Sequence, residues 1–155
     1  MKYLFTTLTL FFLVSGSLSA EEITKEHGKW LKDKFSAQHE KLIPVVAVAD
    51  MYFACNQQRK IDKDNYQVTA LITKMERNEL AKRLRTCLKG EALSSDTAIN
   101  FGLIACFDEQ LKQLPEKDRD IKQKLVRQAI AKLSKAERQQ SFTQCVTDQA
   151  IGYLK

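Results

Sequence analysis

Apolar residues recur along this chain at three- and four-residue intervals, and no stretch of any length alternates residue by residue. That spacing lines them up on one side of a helix and argues against strands. A first helix is predicted over Glu22–His39, with Ile23, His27, Trp30, Leu31 and Phe35 on one face. Pro44 then restarts the chain, since proline suits a first helical turn. The helix it opens, "PVVAVADMYFAC", is apolar on nearly every side, as expected for the central helix of a bundle. After the polar turn "RKIDKDN", a third helix is predicted over Tyr66–Met75 and a fourth over Glu76–Lys89. The fourth aligns Leu80, Leu84, Cys87 and Leu88 on one face and Lys82, Arg83, Arg85 and Lys89 on the other, and Gly90 stops it.

Beyond the loop "EALSSD", Ser95 or Asp96 caps a fifth helix that aligns Ile99, Leu103, Cys106, Phe107, Gln110, Leu111 and Leu114. Pro115 opens a sixth, with Glu116, Asp118 and Asp120 at its positive end. Its expected buried stripe is Ile121, Leu125, Val126, Ala129, Ile130 and Leu133. "SKAE", Ser134 to Glu137, is a capping box that starts a seventh helix bearing Phe142, Cys145, Val146, Gln149, Ala150 and Tyr153. The expected fold is all-α, a single compact bundle of six or seven helices.

The start of the chain has a different character. Lys2 precedes an apolar segment, Tyr3–Val14, followed by the small residues "SGSLSA". This reads as a secretory signal peptide over 1–20, cleaved after Ser19 or Ala20, with the helical domain over 21–155. The apolar segment is too short to span a membrane and no second one follows, so no stable membrane insertion is expected. The net charge of +6, or +5 without Lys2, is modest and spread along the chain. Export makes nucleic acid an unsuitable partner.

Four cysteines in an exported domain argue for two disulfides. Three pairings are open, and the sequential one is simplest: Cys55–Cys87 and Cys106–Cys145, each joining two helices through their apolar stripes. No C-x-x-C occurs and neither histidine is near a cysteine, so a zinc, redox or haem site is not expected.

Chemistry is otherwise sparse. His27 is expected to be packed on the apolar side of its helix, His39 to be at the surface, and Trp30 and Tyr52 to be core residues. There is no nucleophile motif and no phosphate-binding glycine loop, so neither a catalytic residue nor a cofactor is assigned. Asp50, in the most apolar helix, needs a Lys or Arg partner, a capping role or an exposed edge that meets another molecule. The basic face of the fourth helix reads first as a solvated surface. Binding residues are sought in the loops: Asp62, Asp64, Asn65 and Tyr66 in one, and Glu91, Ser94, Ser95 and Asp96 in the other.

Three stretches carry a family likeness: "ADMYFACNQQ", "NFGLIACFDEQL" and "ERQQSFTQCVTDQAIGYL". They resemble the periplasmic immunity proteins of type VI secretion, in particular partners of a VgrG spike with a lysozyme-like muramidase domain. The resemblance implies a periplasmic binder, not an enzyme, that inhibits a cell-wall-hydrolase effector by covering its glycan cleft. A homodimer is compatible with an exported helical bundle, although no heptad seam is long enough to demand one. The competing reading is a small disulfide-bonded periplasmic chaperone or secretion-assembly factor.

Overall fold

The structure is a computed structural model that describes residues 18–154, with side-chain surroundings from residue 26 onward. The apolar segment 3–14, read as part of a signal peptide, lies outside the described residues, and the two bonds expected to be cleaved, after Ser19 and after Ala20, fall at the start of the first helix. Six helices follow in order: α1 Leu18–Arg59, α2 Val68–Thr73, α3 Arg77–Leu88, α4 Asp96–Leu111, α5 Glu116–Lys132 and α6 Lys135–Ile151. The fold is all-α, as expected, and no strand occurs among the described residues. By its internal contacts the chain divides into residues 1–34 and 35–155.

The expected break at Pro44 is not made. Pro44 lies inside α1, which runs through what read as two helices. An internal proline removes one hydrogen bond and crowds the carbonyl four residues back. Here Glu40 and Pro44 are both exposed, so water can serve the carbonyl that loses its donor. The turn beyond Pro44 is held by burial of Val46 and Ala49.

The remaining boundaries follow the local signals closely. The Glu76 side chain accepts from the Glu79 N–H at 2.9 Å and starts α3. Ser95 accepts from the Ala98 N–H at 3.1 Å and starts α4. The Ser134–Glu137 capping box forms in full at the head of α6. At the end of α3 the left-handed position falls first on Lys89, φ 55°, and then on Gly90, φ 85°. Lys60 plays the same part after α1, at φ 53°.

In the unit 35–155, the second half of α1 is central. Val46, Ala49, Tyr52 and Cys55 are buried there, together with Leu71, Leu80, Leu84, Leu88 and Leu103 from the surrounding helices. Each fully buried leucine contributes about 2–3 kcal/mol. Both sequential disulfides are present: Cys55–Cys87 joins α1 to α3, and Cys106–Cys145 joins α4 to α6. They close intervals of 32 and 39 residues. In the chain-entropy account each is worth about 4 kcal/mol. Among the described residues no helix is long and apolar enough to cross a membrane.

Two expected placements fail. Of the six-residue stripe on α5, only Ile130 is fully buried, while Ile121 and Leu125 are more than half exposed. The stripe is wider than one helix surface can cover, and Val126 and Ile130 claim the inward side. Trp30 is not a core residue either: it is 53% exposed. His27, also exposed, stacks on it at 5.8 Å between ring centroids, and the Lys34 ammonium lies 4.7 Å from the indole centroid.

Near the second disulfide, α4 and α6 approach at Gly102. A Cβ placed there would lie 2.3–2.9 Å from three ring atoms of Phe142. Gly102→Ala is therefore expected to destabilise by about 1–3 kcal/mol in urea titration, because overpacking outweighs the gain in helix propensity. Gly28 has nothing within 4 Å of the same position. Gly28→Ala should be neutral or stabilising by up to about 1 kcal/mol.

Candidate functional site

Cys55 lies one turn before the end of α1, and Cys87 is the penultimate residue of α3. The disulfide thus ties two helix C-termini together, and two connecting segments leave from them, 60–67 and 89–95. These contain most of the predicted binding residues. Arg59 reinforces the tie. It donates one Nη to the Cys87 carbonyl and pairs through the other with Glu91 at 3.2 Å. A carbonyl at a helix C-terminus has no partner within its helix and attracts cations. Arg59 also lies over the Phe101 ring, 5.4 Å from its centroid.

The first segment is built around Asp62. Its N–H donates to Asn56 Oδ1 at 2.7 Å, and Asn56 Nδ2 donates back to the Asp62 carbonyl at 3.3 Å. The Asp62 carboxylate pairs with Arg83 and accepts from the Tyr52 hydroxyl at 3.1 Å and from the Asp64 N–H at 3.1 Å. Arg83 also donates to the Tyr66 hydroxyl at 3.0 Å, and Tyr66 donates to Asp64 at 2.7 Å. That bond to Asp64, followed by burial, raises the Tyr66 phenol above its ordinary range, and burial does the same to Tyr52. Arg83, read as part of a solvated basic face, is instead the hub that fixes this loop.

The eight predicted residues therefore divide. Asp62, Tyr66 and Ser95 spend their polar groups inside the protein, the last as the cap of α4. Asp96 belongs to the first turn of α4 and pairs with Arg138 at 3.1 Å. Asp64, Asn65, Glu91 and Ser94 are exposed at the loop surfaces. Asp64 accepts from Tyr66, and the Glu91 carboxylate, held below its ordinary value by hydrogen bonds from Thr97 and then Arg59, pairs with Arg59. The loops also expose two apolar side chains that sequence reasoning did not single out, Ile61 at 44% and Leu93 at 50%. Their position inside polar turns was the available signal. The tied end thus presents apolar tips among hydrogen-bonding groups, a composition that suits a protein interface.

A second surface lies on α5. Ile121, Leu125, Gln128 and Ala129 are exposed opposite the inward side, framed by exposed Lys117, Lys122, Lys124 and Lys132. No acidic residue follows Asp120 in this helix.

The histidines and Asp50 depart from expectation. His39 is half-buried and donates from Nε2 to the Thr147 carbonyl at 2.7 Å. Asp50 is fully buried, and the group bonded to it is the neutral amide of Gln149, not a Lys or Arg. Among the described residues no group of three or more His, Cys, Asp and Glu side chains is placed to hold a metal. The chain matches no family model, no curated protein and no solved structure.

The loop geometry predicts a specific weakness. Asp62→Ala removes the acceptor shared by Arg83, Tyr52 and the Asp64 N–H. It should cost about 2–3 kcal/mol, as expected for charge-assisted bonds. It should also make 60–67 a preferred cleavage site in limited proteolysis under native conditions. An unchanged cleavage map and midpoint would show that the network does not hold the loop.

Proposed function

We propose that this chain is a periplasmic immunity protein that binds a peptidoglycan-cleaving type VI effector and occludes its glycan cleft. The observation that carries the reading is the pre-ordered end at Cys55–Cys87. An inhibitor that must fill a cleft gains affinity when its contact loops lose little freedom on binding. Here one loop is fixed through Arg83 and the start of the other through Arg59. The likeness of the three cysteine-bearing stretches to such immunity proteins agrees with it. In this reading the chain is a binder, exported through its cleaved leader. Ile61 and Leu93 supply the apolar centre of the contact. Asp64, Asn65, Glu91 and Ser94 offer hydrogen bonds where a sugar chain would otherwise make them.

The α5 face is the competing contact. Its lysines complement the carboxylates of a muramidase cleft, which works with acidic residues. The exposed Ile121 and Leu125 also favour a second reading, a chaperone that offers an apolar strip to unfolded clients. Suppression of aggregation of a reduced, unfolded test protein at stoichiometric amounts would support that reading.

The test is co-expression in the periplasm with a muramidase-type effector, sought first among the genes neighbouring this one, together with affinity measurement on the purified pair. The wild-type chain should prevent lysis. Ile61→Asp combined with Leu93→Asp should weaken binding at least about 30-fold, as loss of hot-spot residues does. Ile121→Asp with Leu125→Asp should bind as the wild type does. The opposite pattern moves the contact to α5. Lysis despite the wild-type chain, with no complex in vitro, refutes the immunity reading.

A further inference from the structure

Asp50, in the C-terminal half of α1, and Gln149, in the last turn of α6, meet inside the unit 35–155. Gln149 Nε2 donates to Asp50 Oδ1 at 3.3 Å. The two remaining oxygens of this pair, Asp50 Oδ2 and Gln149 Oε1, are both buried and both lack a partner. Two orphaned acceptors on two groups that already share a hydrogen bond form an unusual arrangement. A buried acceptor without a donor is costly, and an ionised carboxylate with one weak neutral donor is costlier still. One proton removes both defects. We propose that Asp50 carries a proton in the folded protein and donates it from Oδ2 to Gln149 Oε1. This closes a cyclic acid–amide pair that clasps α1 to α6.

The surroundings favour the neutral acid. Asp50 is 0% exposed and its neighbours Ala49 and Tyr52 are buried with it. Burial is the largest influence and pushes its carboxyl well above the ordinary value of 3.8. The Gln149 hydrogen bond and the Lys112 ammonium pull the other way, while the Glu109 carboxylate adds to the rise. Glu109 and Lys112 are themselves an ion pair at the end of α4, so their effects on Asp50 oppose each other, with that of Glu109 the larger. From α6 the group that faces Asp50 is the uncharged Gln149. Gln149 also lines a surface depression of about 440 Å³ with Glu109, Asp148 and Tyr153. The clasp therefore lies one side chain from solvent, and its proton can exchange when Gln149 swings out.

The clasp makes stability depend on pH in a definite direction. Asp50 binds its proton more tightly in the folded than in the unfolded chain. Its contribution is therefore fully present below the ordinary carboxylate value and is lost progressively as pH rises above 3.8 toward the raised folded value. Asp50→Asn keeps the shape and supplies a permanent donor to Gln149 Oε1 without the proton.

The experiment compares thermal unfolding of the full mature chain and Asp50→Asn from pH 4 to pH 9, with disulfides intact. Titration of every other group is common to both proteins and cancels in the difference. Asp50→Asn should melt higher at neutral pH by on the order of 10 °C, and the gap should close on acidification toward pH 4. Infrared difference spectra of aspartate-labelled protein, wild type minus Asp50→Asn, should show the carbonyl stretch of a neutral carboxylic acid at pH 7. In Gln149→Leu that band should move toward the frequency of an unbonded acid. A carboxylate band in its place at pH 7, or a gap between the two proteins that is absent or shrinks as pH rises, overturns the proposal. The infrared measurement on the wild type stands even where a variant folds poorly.

Discussion

The constraint on which the presented surface depends is the covalent tie between two helix ends. A helix C-terminus is a site of unsatisfied carbonyls, and chain leaving it is normally free to fray. Cys55–Cys87 places two such ends side by side. Arg59 then serves both, since it satisfies a carbonyl of α3 and anchors Glu91 in the outgoing chain. Asp62 does the equivalent work on the other segment by drawing together Tyr52 of α1 and Arg83 of α3. The disulfide alone would fix two Cα atoms 6.2 Å apart. The arginines extend that order into the loops.

The second clip has a different task. Cys106–Cys145 joins α4 to α6 in a region where Gly102 already permits close approach of the Phe142 ring. Gln110 donates to Cys145 Sγ at 3.3 Å, so even the sulfur is enclosed by a polar neighbour. On the same helix Gln149 faces Asp50 and Thr147 accepts from His39, which bring α1 into the same assembly. One half of the unit thus presents loops, and the other holds α1, α4 and α6 in register. Such a division agrees with the proposed binding role, which needs the presented loops to stay fixed.

Much of this was legible in the sequence because the signals are local. The capping box at Ser134, a cap at Ser95 or Asp96 and the phase of the four cysteines each depend on residues within a turn or two; the box forms in full, Ser95 is the cap, and the cysteines pair in sequence. Failures arose where the outcome turns on a distant surface. Pro44 looks like a start, but α1 runs through it where the exposure of Glu40 lets water serve the carbonyl that loses its donor. The α5 pattern contains two overlapping stripes, and only packing decides that Val126 and Ile130 face inward while Ile121 and Leu125 face out. Trp30 reads as core by type alone. The Asp50 partner could not be read at all, since Gln149 lies 99 positions away and was assigned only to the buried face of its helix. Among the loop residues, Asp62, Tyr66 and Ser95 hold the loops while Asn65 and Ser94 are presented by them, a difference invisible in sequence because both kinds of polar group look alike there.

The central claim is that the tied helix ends hold the loop 60–67 in one conformation before any partner arrives. Native-state hydrogen exchange at the Asp62 and Asp64 amides tests it most directly. The Asp62 amide donates to Asn56 of α1 and the Asp64 amide to Asp62 within the loop. In the oxidised protein they should exchange at least about 100-fold more slowly than an open chain, corresponding to an opening free energy of roughly 3 kcal/mol or more. Selective loss of the first disulfide by Cys55→Ala with Cys87→Ala should remove most of that protection while the amides of α6 keep theirs. Exchange at open-chain rates in the intact protein would contradict the account.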